Sequence, residues 1–154
     1  MKIIEISPYS LPKLKQDYLD LMEKQMQAIG EKFTRERIAN ALKIALQPNK
    51  RAHALMLLSD DNQALGICFF NVCSGIQSGG DYIWLNEIYI DEPYREKGCA
   101  SYFLKYLEDW AKRNNCVAIS AVTWDENLAS QGLFKSNGFG SWNPIWVDKK
   151  IDFL

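Results

Sequence analysis

The sequence holds a single histidine, His53, and none of its four cysteines falls in a Cys-x-x-Cys pair. With so little imidazole to join them, Cys68, Cys73, Cys99 and Cys116 make no zinc set. They read instead as reduced thiols in a cytoplasmic protein. No apolar run approaches the roughly 20 residues of a membrane span, so no membrane partner is expected. The opening Met1-Lys2-Ile3-Ile4-Glu5-Ile6 lacks the apolar stretch and small-residue cleavage site of a signal peptide. Net charge is missing too: 18 basic against 19 acidic residues leave −1. A nucleic-acid surface needs a basic face, so no nucleic-acid partner is expected either. Neither Gly-x-Gly-x-x-Gly nor a P-loop is present, which argues against an ordinary nucleotide-binding domain. There is no repeat, low-complexity stretch or linker, and residues 1–154 are read as one domain.

What is present is core material, 47% hydrophobic residues, arranged with clear punctuation. Residues 2–6 read as a strand. Ser10-Leu11-Pro12 starts a helix, whose stripe of Leu14, Tyr18, Leu21, Met22, Gln25, Met26 and Ile29 ends at Gly30. Thr34 caps a second helix with Ile38, Ala41, Leu42, Ala45 and Leu46 inward and Pro48 beyond its end. Ala52–Leu58 and Ala64–Cys73 form a hairpin, Ser74–Gly80 a flexible loop, and Tyr82–Ile90 a third long strand. A helix carrying Phe103, Leu104, Leu107, Trp110 and Ala111 on one face follows, stopped by a left-handed residue from Asn114-Asn115. Val117–Val122 is nearly all apolar, which predicts a strand covered on both faces. Antiparallel strands followed by β-α-β-α make a mixed sheet flanked by helices.

The most informative run is Tyr94-Arg95-Glu96-Lys97-Gly98-Cys99-Ala100, where the chain must leave a strand and start a helix within a few residues. First-turn N–H groups have no intrahelical acceptor and converge on whatever lies above them, so the turn is a cradle for an anion such as a pyrophosphate. Gly98 permits close approach, Ala100 stays small, and Arg95 and Lys97 bring positive charge. The Cys99 side chain should point away from the cradle that its backbone helps to form. Asp91 and Glu92 shape the turn before Pro93.

The segment Leu85–Ala100 resembles the acetyl-CoA-binding segment of the GCN5-related N-acetyltransferases. Asn127, Phe134 seven residues later, and Gly138-Phe139 are similar to that superfamily's last helix and its exit. The resemblance implies an α/β (α+β) fold of one domain, with a mixed, mostly antiparallel twisted sheet flanked by helices and a splayed central strand pair. It implies acetyl-CoA as the acyl donor and a small-molecule or peptide amine as the acceptor. A homodimer is an expectation, since dimers are common in the superfamily. The cofactor-binding residues it implies are Ile88, Tyr89 and Ile90 for the pantetheine arm, Arg95, Glu96, Lys97, Gly98, Cys99, Ala100 and Ser101 for the phosphates, and Asn127 and Phe134 on the last helix.

Acetyl transfer needs a neutral amine, and an alkylammonium of pKa near 10.4 is only about 0.04% neutral at pH 7. Glu87 is the carboxylate best placed to take the proton. Alternation puts it on one face with Ile83, Leu85 and Tyr89, where burial raises its pKa. The alternative is that Glu87 pairs with a neighbouring cation. Where the superfamily commonly has a tyrosine able to protonate the departing thiolate, this chain has Phe134, and Ser130 is the candidate substitute. For the acceptor, the loop Ser74–Gly80 and the first two helices would border the pocket. Tyr82, Trp84, Trp124, Asp125 and Glu126 could receive a cation, and Trp124-Asp125-Glu126-Asn127 is weakly similar to diamine acetyltransferases. The competing class is an acyl-CoA-binding sensor that keeps the cradle without turnover, with Phe134 as its support.

Overall fold

The computed structural model describes residues 1–31, 33–48, 50–142, 147 and 149. Five strands form one sheet in sequence order: β1 (Lys2–Ile6), β2 (Ala52–Leu58), β3 (Ala64–Gly75), β4 (Gly80–Ile90) and β5 (Ala118–Ala121). The first three pairings are antiparallel and β4–β5 is parallel, which is the mixed, mostly antiparallel sheet that was expected. Helices α1 (Pro12–Ala28) and α2 (Arg35–Ala45) connect β1 to β2, α3 (Cys99–Arg113) connects β4 to β5, and α4 (Leu128–Ser136) follows. Among the described residues no helix is long and apolar enough to cross a membrane.

Local chemistry accounts for these boundaries. The Thr34 hydroxyl accepts from the Arg37 N–H at 3.2 Å, a cap worth about 1 kcal/mol. Asn115 supplies the left-handed residue after α3, with φ 56. Two apolar layers cover the sheet. Phe103, Leu104 and Leu107 of α3 pack on Leu55, Phe70, Ile83 and Leu85 on one face. Tyr18, Leu21, Met22 and Met26 of α1 pack on Ile6, Met56 and Ile67 on the other. Each such side chain, once fully buried, contributes roughly 1.5–3 kcal/mol. Gly66 is required where β3 meets the end of β4, because an added Cβ would lie 2.6 Å from the Tyr89 carbonyl oxygen.

Two expectations fail here. The segment 74–80 is loop only over the tight turn Ile76–Gly79: Ser74 pairs with Asp81 and Gly75 with Gly80, so the two strands reach into it from both sides. An Arg51–Asp81 ion pair and a Ser74–Asp81 hydrogen bond tie the hairpin's end together, partners too distant in sequence to be read as a turn signal. The last strand is also shorter and less covered than its composition predicts. All four residues of β5 are only half-buried, and Val117 and Val122 are exposed.

Candidate functional site

The decisive local event is a bulge in β4. Phe69 pairs with Glu87 but the next β3 residue, Phe70, pairs with Leu85, so Asn86 is an extra residue. A single insertion reverses the facing of everything after it. Before the bulge Ile83 and Leu85 point into the α3 layer. After it Ile88 and Ile90 do so, while Glu87 and Tyr89 turn to the α1 layer. The expectation that Glu87 shares a face with Ile83 and Leu85 is therefore wrong, although its pairing with Tyr89 holds. Strict alternation could not register the insertion.

On the α1 side Glu87 accepts a hydrogen bond from Gln25 Nε2. Burial pushes the Glu87 carboxyl up to about 7. No cation pairs with it among the described residues, which removes the salt-bridge alternative. The carboxyl opens on a cavity of about 220 Å³ between α1, α2 and the sheet, walled by Tyr18, Met22, Phe33, Leu42 and Phe69. Arg37 also lines it, its guanidinium 4.2 Å over the Phe33 ring. Tyr18 is fully buried and donates to the Cys68 carbonyl at 3.1 Å, fixing this wall. The first two helices border the cavity, as expected, but neither the hairpin turn nor Tyr82, Trp84, Trp124, Asp125 and Glu126 line it. Trp124 is largely exposed, and Asp125 and Glu126 lie exposed beside it in the segment before α4.

β4 and β5 part company early. Their ladder runs from Tyr82↔Ala118 to Leu85↔Ala121 and stops, while β4 continues to Ile90 paired only with β3. Among the described residues the β5-side edge of Ile88, Tyr89 and Ile90 meets no strand, which is the splay that was expected. The Arg95 Nε donates to the Ile90 carbonyl at 3.0 Å and its guanidinium lies 5.4 Å from the Tyr89 ring, so Arg95 is anchored to the strand end.

Beyond a short 3₁₀ turn at Glu92–Tyr94 the chain takes two left-handed residues, Glu96 at φ 59 and Gly98 at φ 77. For Glu96 this conformation costs roughly 1–3 kcal/mol, strain of the kind found at functional sites. Gly98 is the residue before α3, and a Cβ there would meet nothing within 4 Å: the space above is open. Among the described residues the N–H groups of Glu96, Lys97, Gly98, Cys99, Ala100 and Ser101 have no protein acceptor, so this turn fits a pyrophosphate. The Cys99 side chain is buried in the α3 layer, pointing away as expected. Lys97 Nζ donates to the Pro93 carbonyl at 2.9 Å, folding its charge back on the turn.

Helix α4 closes the α3 side. Asn127 Oδ1 accepts from the half-buried Ser130's N–H at 3.0 Å, the expected cap. Phe134 packs on the α3 layer with its ring 5.1 Å from that of Phe139. Asn137 Nδ2 donates to the Ser101 hydroxyl at 3.1 Å, tying the end of α4 to the first turn of α3. Asn137 had not been singled out. Gln25 had, but only as part of the α1 stripe. A glutamine between Met22 and Met26 on an apolar face was the available signal. Among the described residues no cluster of three or more His, Cys, Asp or Glu could hold a metal.

Comparison with known proteins bears on this geometry. The family model for the acetyltransferase (GNAT) family matches residues 16–139. The chain belongs to that family. It is accordingly an N-acetyltransferase with acetyl-CoA as acyl donor. Among curated relatives it is 26% identical to an aminoglycoside N(6′)-acetyltransferase type 1 of Acinetobacter haemolyticus, over 97% of this chain and all of that one. A solved probable acetyltransferase superposes with a TM-score of 0.82 at 20% identity, covering 99% of this GNAT chain and 100% of the other. AAC(6′)-Iy, solved with the bisubstrate analogue CoA-S-monomethyl-acetylneamine, gives a TM-score of 0.75 at 16% identity, with 97% of each chain covered. These likenesses confirm the fold.

Proposed function

We propose that this acetyltransferase acts on the primary amine of a small molecule or peptide by direct attack on the thioester, with Glu87 as the base. The observation that carries the reading is a carboxyl with a pKa raised to about 7, held by Gln25 at the wall of a cavity beside the unpaired end of β4. A base poised near neutral pH is what removal of an ammonium proton requires.

When bound, acetyl-CoA supplies an activated acetyl thioester. The free N–H groups of residues 96–101 would hold its pyrophosphate, with Arg95 and Lys97 near the oxygens. The open edge of Ile88–Ile90 would pair with the amide-bearing arm as an added strand, and an N–H of that edge would polarise the acetyl carbonyl. The amine nitrogen bonds the acetyl carbon as the carbon–sulfur bond breaks. The ammonium would give one proton to Glu87, directly or through a water, and the nitrogen would shed a second to solvent as the amide forms and the sulfur leaves as thiolate. Phe134 has no proton to give that sulfur, which leaves the Ser130 hydroxyl or water. A thiol of pKa near 8.5 is a tolerable leaving group, so the step survives without a dedicated acid.

Glu87→Gln keeps the shape and the hydrogen bond to Gln25 while removing the base. Turnover should fall about 100-fold or more, CoA affinity should stay within error, and the limb of the pH–rate profile near 7 should vanish. A limb that persists in the variant assigns the proton to another group. Tight CoA binding without thiol release across polyamines, aminoglycosides, amino acids and peptides would select the binding-module reading, which rests on Phe134.

A further inference from the structure

The cavity beside Glu87 is charged at two places and apolar between them. Its only charged lining groups among the described residues are Glu87 and Arg37, and the wall linking them is built from Met22, Met26, Phe33, Ile38 and Leu42. Arg37 is exposed, and its recorded contacts are the Phe33 ring and the cap that Thr34 makes to its N–H; among the described residues no carboxylate pairs with its guanidinium. Of the acids on nearby elements, Asp17 is bound by Lys13, Asp20 and Glu23 by Arg35, and Asp91 by Lys24, while the exposed Glu31 and Glu36 line no part of the cavity. A polycation entering here would find one carboxylate and an uncompensated cation.

We infer that the acceptor is a primary amine on an apolar body that ends in an anionic group, the amine directed to Glu87 and the anion to Arg37. This rests on the reading of Glu87 as the base, and it separates the chain from the aminoglycoside-directed relative in what it accepts. Burial of the apolar body supplies affinity, and the two opposite charges set direction and selectivity. Like charge beside Arg37 rejects an acceptor with further ammonium groups.

The test uses 8-aminooctanoate, octylamine and kanamycin, each titrated calorimetrically into CoA-bound protein and each assayed for thiol release from acetyl-CoA. The wild type should bind 8-aminooctanoate at least about tenfold more tightly than octylamine, and kanamycin most weakly. Arg37→Glu should abolish that preference and improve kanamycin binding, while Arg37→Lys should retain the order. Kanamycin binding tighter than either monoamine, no binding of 8-aminooctanoate, or an order indifferent to Arg37→Glu would each overturn the inference. Efficient acetylation of kanamycin alone would overturn it and leave the role of Glu87 standing. Arg37-dependent binding of 8-aminooctanoate with no thiol release from any amine would uphold the pocket assignment and remove the catalytic reading.

Discussion

Gln25 is buried to 7% exposure in the α1 layer, with its Nε2 on Glu87 and its Oε1 without a partner. An unmet buried acceptor costs roughly 1–3 kcal/mol, which an apolar residue would avoid. The amide has a use that repays this. As drawn it donates to a carboxylate, and turned over it would accept the proton of a carboxylic acid. Gln25 therefore suits both protonation states that a base must visit. Gln25→Leu removes the donor that favours the charged form, so the pKa of Glu87 should rise above 7. The acidic limb of kcat/KM should move to higher pH by up to about one unit, with folding checked by circular dichroism. A limb that stays in place would make the amide purely a packing element.

At the scale of elements, the turn between β4 and α3 does its work through backbone, so side-chain substitution there is a sharp probe. Gly98→Asp places a negative side chain in the open space and forces a left-handed non-glycine residue. Calorimetry should show CoA affinity reduced at least about 100-fold, since charge repulsion and backbone strain act together at a pyrophosphate site. Unchanged affinity would move the phosphates elsewhere. These elements were largely legible beforehand because their signals are local: Thr34 before a helical stripe, glycine after a strand, asparagine at the end of α3. The strand Lys2–Ile6 and the cradle turn needed nothing from outside their own windows. The extra residue in β4 was invisible because Asn86 and its neighbours read as ordinary alternation, and only pairing with β3 counts it. The resemblance placed the first two helices at the pocket, but the residues that face one another across it were hidden, since the wall joins α1, α2, β3 and β4 and no short stretch of sequence contains them all.

For the whole molecule, a carboxyl held at about 7 against an ordinary 4.5 is a liability whose sign can be stated. Between those values the folded protein keeps a proton that the unfolded chain has released. The contribution of Glu87 to stability is thus fully present below about pH 4.5 and is lost as pH rises through 7, by at most about 3 kcal/mol. Glu87→Gln should therefore be more stable than the wild type at pH 8 and gain little at pH 5. Urea unfolding at both values measures it. An equal difference at the two pH values would mean that the carboxyl is not perturbed in the folded state. Such a gain, bought with lost turnover, is the usual trade at a site where a charge is kept short of water.

The face that Glu87 occupies is a matter of parity. Every side chain beyond Asn86 on β4 sits where it does because the count from Leu85 is odd by one residue. No substitution at Glu87 can adjust that, and no intermediate arrangement exists between the two faces. Ironing the bulge out with Asn86 retained would deliver a carboxyl into the layer of Leu107 and Phe103 and send Ile88 toward the cavity, whereas deleting Asn86 would leave Glu87 on the α1 face, directly after Leu85 in regular alternation. The chemistry of this chain is thus guarded by an integer: the number of β4 residues that β3 counts between Leu85 and Glu87, which is zero although the sequence holds one.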